Sequence, residues 1–352
     1  LRILIVGDFF IKPGIIQKAL EEALSDRWDL EFRILEWKFF REETIAYRRE
    51  ETRIGVQESV GSPEALLREM PGVHVLVVHG APVTEEVIEA SPELRLIGCT
   101  RGGPVNIDVA AATRRRIPVL YTPGRNAEAV ADFTLGLMIA ELRNVARAHA
   151  SLKRGVWNLD YNRHEHLGPE LSGRALGIIG LGAIGFKVAV RARAFGMRII
   201  AYDPYVPPER FQEAQAERVD LPTLLRTADI VTLHCVLNKE TRGLIGAKEL
   251  ALMKPSAYLV NTARGGLIDY RALAGALKER RIAGAALDVY EVEPLSPADP
   301  LLRLENVTLT SHIAGYSRDV AERCGRMIAE DVKRWLTREK PLRVYNPAAL
   351  AL

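Results

Sequence analysis

Three stretches of this chain set proton-exchanging or anion-gripping residues at what read as the ends of buried strands: 261–266 (NTARGG), 288–294 (DVYEVEP) and 311–315 (SHIAG). Open α/β sheets bind ligands beyond the carboxyl ends of their strands, so position and residue type point the same way. Arg264 in the first stretch can grip a substrate carboxylate in a two-bond fork. Glu293 and His312 can form a carboxylate–imidazole pair, the acid holding one ring nitrogen while the other exchanges a proton with a substrate oxygen. Each also has an ordinary alternative. An isolated Arg pairs with a surface acid, and an isolated His is satisfied within the fold.

A fourth stretch has a more specific pattern. Residues 175–179 form a short apolar run suited to a buried parallel strand, and Gly180, Gly182 and Gly185 follow as G-x-G-x-x-G opening a helical pattern. The first glycine permits the turn, the second lets a pyrophosphate approach the backbone, and the third lets helix and strand pack closely. Unpaired N–H groups at the helix start would face the phosphates. Asp203 ends the next strand, 18 residues after Gly185, where a carboxylate accepts hydrogen bonds from an adenosine ribose. A 2′-phosphate would be repelled there, and no Arg follows within six residues to bind one. NAD is therefore expected rather than NADP.

These stretches need a frame to hold them. Apolar runs at 1–9, 30–37, 73–79, 94–99 and 117–121 alternate with helical patterns at 14–24, 63–70, 84–90 and 108–116, which implies a parallel α/β domain ahead of the glycine motif. Residues 41–58 are crowded with Arg and Glu and suggest an exposed helix or loop. Pro123 and Gly124 mark a hinge, 126–150 reads as one long helix with apolar positions on more than one face, and 151–173 reads as a loop. Further runs at 230–234, 257–261, 284–288 and 307–309 complete a six-stranded nucleotide domain. A last helix at 317–336 follows, and the tail at 342–345 is left to return to the first domain.

Composition narrows the class. The 352 residues suggest two domains, with 48% hydrophobic and 26% charged residues, as in soluble globular protein. A net charge of +3 argues for neither nucleic acid nor membrane. No apolar run approaches a membrane span and no leader pattern precedes the first strand, so a cytoplasmic protein is expected. Cys99, Cys235 and Cys324 have no metal-ligand spacing and read as reduced thiols. His164 and His166 fall in a polar stretch that reads as a solvated loop, and no metal is expected.

Taken in order, GLGAIG with Asp203, NTARGGLID (261–269), ALDVYEVEP (286–294) and TSHIAG (310–315) resemble the successive motifs of the NAD-dependent D-isomer-specific 2-hydroxyacid dehydrogenases. The likeness extends upstream through LIGCTRGGPVNID (96–108) and TPGRNAEAVA (122–131) and covers roughly residues 90–320. It implies two Rossmann-like doubly wound domains: a flavodoxin-like substrate domain made of both chain ends, 1–122 and 317–352, and an NAD-binding domain at 123–316. It implies that Arg264 binds the substrate's carboxylate and keto oxygen, and that His312 is the acid in reduction and the base in oxidation with Glu293 as its partner. Asp288 would meet the nicotinamide carboxamide, and Ala183 and Ile184 the pyrophosphate. Thr262, Ala263 and Gly315 would also touch the cofactor, and the Arg101-Gly102-Gly103 backbone would hold the substrate carboxylate. The expected partner is a small 2-hydroxy or 2-keto acid, and the expected assembly is a homodimer through the 126–150 helix and the following loop.

Departures from the pattern bear on specificity. Val236 stands where the family has Pro, beside the adenine turn. The 79–82 stretch is His79-Gly80-Ala81-Pro82, without the arginines that resembling 3-phosphoglycerate enzymes carry there. Substrates of the glyoxylate or hydroxypyruvate type are therefore favoured. His79 would touch a substrate hydroxyl or serve the fold, and Arg101 keeps a phosphate or second carboxylate open. A non-catalytic dinucleotide sensor similar to the C-terminal-binding-protein corepressors keeps the same three residues and stands as the alternative. The resembling formate dehydrogenases have Gln where Glu293 stands, which argues against that activity.

Overall fold

The computed structural model describes residues 1–37, 56, 59 and 61–350. Most of the charged 41–58 segment lies outside them. The chain divides into two compact units, Leu1–Arg125 with Tyr316–Leu352, and Asn126–Gly315.

The first unit carries a parallel sheet of β1 (Arg2–Gly7), β2 (Glu31–Glu36), β3 (Val75–Val78), β4 (Leu96–Cys99) and β5 (Val119–Leu120), in the order β2-β1-β3-β4-β5. Register is fixed by burial. Val6 lies opposite both Leu35 and Val78, and β1, β3 and β4 are apolar runs buried almost end to end, as a sheet covered on both faces requires. Helices α1 (Pro13–Leu24), α2 (Pro63–Glu69), α3 (Glu85–Glu89) and α4 (Val109–Arg114) connect the strands. The starts of α3 and α4 are capped by Thr84 and Asp108, whose side-chain oxygens accept backbone N–H bonds.

The chain end completes this unit. The last helix, Arg318–Leu336, is capped by Ser317 and turns Val320, Cys324, Ile328 and Val332 inward. It packs on α1 so closely that a Cβ on Gly325 would lie 3.2 Å from the Ile15 carbonyl oxygen. Asp331, fully buried, accepts the N–H of Leu342 and the Arg343 guanidinium at 2.6 Å each. The tail then bridges Val344 antiparallel to Leu120. That is the return to the first unit expected of it.

The second unit opens on α5 (Ala127–Leu142) and α6 (Val145–Lys153), followed by short 3₁₀ turns at Leu159–Asn162 and His164–His166. The expected single helix over 126–150 is thus two. Asn144 between them sits at φ 57°, in the left-handed region, and breaks the run. Arg147 then folds back to the carbonyl of Glu141 at 3.0 Å and pairs with its carboxylate. Glu141 is itself buried and accepts the Thr308 hydroxyl at 2.6 Å, which pins α5 to the sheet. α5 buries residues on several faces, including Val130, Leu135, Leu137 and Met138.

The sheet of this unit has seven parallel strands: β6 (Ala175–Ile179), β7 (Arg198–Tyr202), β8 (Glu217–Arg218), β9 (Ile230–Leu233), β10 (Tyr258–Asn261), β11 (Gly284–Leu287) and β12 (Val307–Leu309). Their order is β12-β11-β10-β9-β6-β7-β8. The strand beyond the expected six is β8, an exposed two-residue edge strand with no apolar signature. Helices α7 (Ala183–Ala194), α8 (Pro208–Ala214), α9 (Leu221–Thr227), α10 (Ala247–Leu252) and α11 (Tyr270–Lys278) connect the strands. β10, β11 and β12 are neighbours, so the three polar stretches that follow them share one edge of the sheet.

Candidate active site

The glycine turn is shaped by close approach. Gly180 has φ 93°, and a Cβ there would lie 2.6 Å from the Cys235 nitrogen. One on Gly185 would fall 2.0 Å from the Gly180 carbonyl oxygen, whereas one on Gly182 would meet nothing within 4 Å. Two glycines are therefore demanded by the protein itself, and the middle one leaves open space over the helix start, which fits a dinucleotide backbone. Ala183 and Ile184 form the first turn of α7, where N–H groups lack helical partners.

Asp203 lies beside this turn. One oxygen accepts the Leu181 N–H at 2.8 Å, and the other accepts those of Tyr205 and Val206 at 2.9 and 3.2 Å. Arg210, seven residues on, brings its guanidinium 3.8 Å over the Phe186 ring and to 3.4 Å from the Leu181 carbonyl oxygen. This cation lies one residue beyond the six-residue stretch after Asp203 that lacks Arg, and the first turn of α8 carries it back to the glycine loop.

Arg264 follows β10. Asn261 braces the loop, its amide donating to the Arg264 carbonyl at 2.9 Å and its oxygen accepting the Ala263 N–H at 3.0 Å. The Thr262 hydroxyl meets that of Thr134 on α5 at 2.8 Å. A Cβ on Gly265 would lie 1.9 Å from the Tyr290 backbone, so this loop and the one after β11 are pressed together. The Arg264 side chain donates to the Ala263 carbonyl at 2.8 Å.

His312 and Glu293 are brought together: Nδ1 of the imidazole lies 2.8 Å from Oε2. The other oxygen of Glu293 accepts the Tyr290 N–H at 2.9 Å, which fixes the carboxylate. Glu293 is nearly buried, while the His312 side chain keeps 41% of its surface. An ionised carboxylate accepts, so Nδ1 carries the proton and Nε2 is the nitrogen left for a ligand.

Asp288, singled out as a cofactor contact, is fully buried. Its oxygens accept the Thr310 hydroxyl at 2.7 Å and the N–H groups of Ile313 and Ala314 at 2.9 Å each, and its carbonyl accepts the His312 N–H at 2.8 Å. It ties down the loop that carries His312, holding that residue at φ 55°, a conformation sparsely used outside glycine. Gly315 closes the loop against Asn126, whose amide nitrogen would lie 2.9 Å from an added Cβ.

In the first unit, Arg101 follows β4, and its carbonyl accepts the Thr122 N–H at 2.9 Å. A Cβ on Gly103 would meet nothing within 4 Å, and one on Gly102 only the Thr122 carbonyl at 3.9 Å. His79 has a partner that its sequence position does not suggest. Its Nδ1 lies 2.5 Å from Oδ2 of Asp8, whose other oxygen accepts the N–H groups of Phe10 and Ile11 at 2.9 Å each. His164 and His166 are exposed, and His166 Nδ1 meets the Asp160 carbonyl at 2.9 Å.

The description "D-isomer specific 2-hydroxyacid dehydrogenase, NAD binding domain" matches residues 135–314. A D-3-phosphoglycerate dehydrogenase of Archaeoglobus fulgidus is 43% identical over 83% of this chain, which spans 55% of that protein's length. A glyoxylate reductase of Korarchaeum cryptofilum is 44% identical over 75% of this chain and 80% of its own. A crystal structure of a Thermus thermophilus protein superposes with a TM-score of 0.79 at 32% identity, covering 98% of this chain and all of its own. Among the described residues, no helix is long and apolar enough to cross a membrane.

Proposed function

The chain belongs to the D-isomer specific 2-hydroxyacid dehydrogenase family, and from that premise we propose that it performs reversible hydride transfer between NAD(H) and C2 of a small D-2-hydroxy acid or its 2-keto counterpart. The observation that carries this reading is the 2.8 Å pair of His312 and Glu293 at the edge that also bears Arg264.

NAD(H), when bound, would supply the hydride in the reducing direction and accept it in the oxidising one. His312 gives a proton from Nε2 to the substrate oxygen in reduction and removes one in oxidation, and Glu293 sets its tautomer and stabilises the charged ring. Arg264 binds the substrate carboxylate and keto oxygen, polarising the carbonyl toward the developing alkoxide. The Arg101, Gly102 and Gly103 backbone takes the carboxylate as well. Gly180, Gly182, Ala183, Ile184, Gly185 and Asp203 hold the adenosine and pyrophosphate part of the cofactor, and Thr262, Ala263, Asp288 and Gly315 shape the nicotinamide end.

We assign a substrate of the glyoxylate or hydroxypyruvate type rather than 3-phosphoglycerate, because the stretch after β3 carries His79 and no arginine. A homodimer through α5, α6 and the loop behind them is part of the proposal. Val145, Leu152, Val156, Trp157, Leu159 and Leu167 are all exposed there, and an apolar stretch of that kind calls for a partner surface. A cytoplasmic setting is kept with it, in keeping with three free thiols.

The test is NADH consumption against glyoxylate, hydroxypyruvate, pyruvate, phenylpyruvate and phosphohydroxypyruvate, with NADPH in parallel. Turnover of one of the small unphosphorylated acids supports the reading. NADH binding without turnover of any 2-keto acid would reject catalysis in favour of a sensor.

A further inference from the structure

The turn from β7 into α8 places a cation against the glycine loop of the second unit. Asp203 locks the two segments together. One of its oxygens accepts the Leu181 N–H of the glycine turn, and the other accepts those of Tyr205 and Val206, which lead toward α8. Pro207 and Pro208, whose rings fix φ, then open α8. Arg210 follows in the first turn of that helix. Its backbone is therefore held at a set place beside the glycine loop, and its side chain reaches back to the start of α7.

The guanidinium is oriented there without being used up. Its carbon lies 3.8 Å over the Phe186 ring, so an aromatic surface backs it. Nε donates to the Leu181 carbonyl at 3.4 Å, one terminal nitrogen to the Gly182 carbonyl at 3.5 Å and the other to Glu213 at 3.3 Å. A guanidinium has five N–H donors, so one is left on each terminal nitrogen. That is the number a two-bond fork to an oxyanion requires. The pairing with Glu213 does little to neutralise the charge, because that carboxylate keeps 60% of its surface in solvent.

The surroundings favour an anion. A Cβ on Gly182 would meet nothing within 4 Å, Ala183 is exposed, and the first turn of α7 carries no acidic residue. The N–H groups of that turn lack helical partners and add to the positive field. Resting on the reading that this unit holds a dinucleotide, we propose that Arg210 binds a phosphate on the adenosine half of the cofactor. Two phosphates answer to that chemistry. The 5′-phosphate, which begins the pyrophosphate, is common to NAD(H) and NADP(H), and the 2′-phosphate belongs to NADP(H) alone. The β7–α8 turn then contributes two side chains of opposite charge to the cofactor, Asp203 for the ribose hydroxyls and Arg210 for a phosphate.

Fluorescence titration with NADH and with NADPH, at low and high salt, reads the contact apart from turnover. Arg210→Gln should weaken binding of at least one of the two about tenfold. Its affinity for that nucleotide should also depend less steeply on salt than the wild type's does. Arg210→Lys keeps the charge and loses the fork, so it should fall between the two. An equal loss for both nucleotides places the 5′-phosphate on Arg210, and a loss for NADPH alone places the 2′-phosphate there. Unchanged affinity for both in Arg210→Gln overturns the assignment. So does a loss that Arg210→Lys does not relieve and that comes with a lower thermal midpoint in the absence of cofactor, since Arg210 then serves the fold through Phe186. A wild type that binds neither NADH nor NADPH overturns the underlying dinucleotide reading with it.

Discussion

The Asp203 carboxylate accepts the backbone N–H of Leu181 at 2.8 Å, which ties the acid at the end of β7 to the glycine turn. The residue holds the turn, and in the proposed function it also receives the ribose. Replacing it by Ala removes a charged acceptor worth about 1.5–3 kcal/mol per hydrogen bond. NADH fluorescence titration should therefore show affinity falling by more than tenfold. Because Arg210 remains beside the turn, NADPH affinity should fall less than NADH affinity in the same variant.

The second and third glycines of the turn separate binding from folding. Gly182→Ala meets no protein atom within 4 Å, so its thermal midpoint without cofactor should match the wild type while NADH binding weakens at least tenfold. Gly185→Ala drives a methyl to 2.0 Å from the Gly180 carbonyl oxygen. It should unfold at a markedly lower temperature even without cofactor. Equal behaviour of the two variants by calorimetry and titration would contradict the division of roles.

His234, just past β9, gives the second unit an acid-labile point. Its Nδ1 is buried with no hydrogen-bond partner among the described residues, and its Nε2 meets the Thr232 hydroxyl at 3.0 Å. Burial pushes its proton affinity down from the ordinary 6.5 to about 3. The unfolded chain then takes up the proton first, so stability is full above pH 6.5 and declines as pH falls toward 3. At pH 5 the loss from this residue should be about 1–2 kcal/mol. Denaturant melts at pH 7.5 and 5 should show a smaller pH effect in His234→Gln.

Trp157 is the most exposed of the large apolar residues after α6, with 78% of its surface open. Trp157→Glu should convert a dimer to a monomer in sedimentation velocity. A wild type that sediments as a monomer would refute the proposed assembly.

What the sequence disclosed was what is local. The glycine turn, the acid 18 residues on and the polar stretches after β10, β11 and β12 are written in consecutive residues, and their strands are legible as apolar runs. What stayed hidden depends on strand order or on single backbone angles. Asp8 and His79 lie 71 residues apart and meet only because β1 and β3 are neighbours. The break at Asn144 comes from one left-handed residue within an apolar pattern that otherwise continues. β8 is two exposed charged residues that bury nothing, so it has no apolar pattern to read. Asp288 could be singled out by its motif, but that its oxygens are taken up by the His312 loop required the fold.

In the proposed reaction His312, held by Glu293, moves the proton that accompanies hydride transfer. The most direct test is steady-state turnover of His312→Ala with saturating NADH and the best 2-keto acid, alongside a titration of NADH binding. Turnover should drop by about 10²–10⁴-fold while NADH affinity stays close to that of the wild type. Near-normal turnover in that variant would rule out His312 as the proton donor.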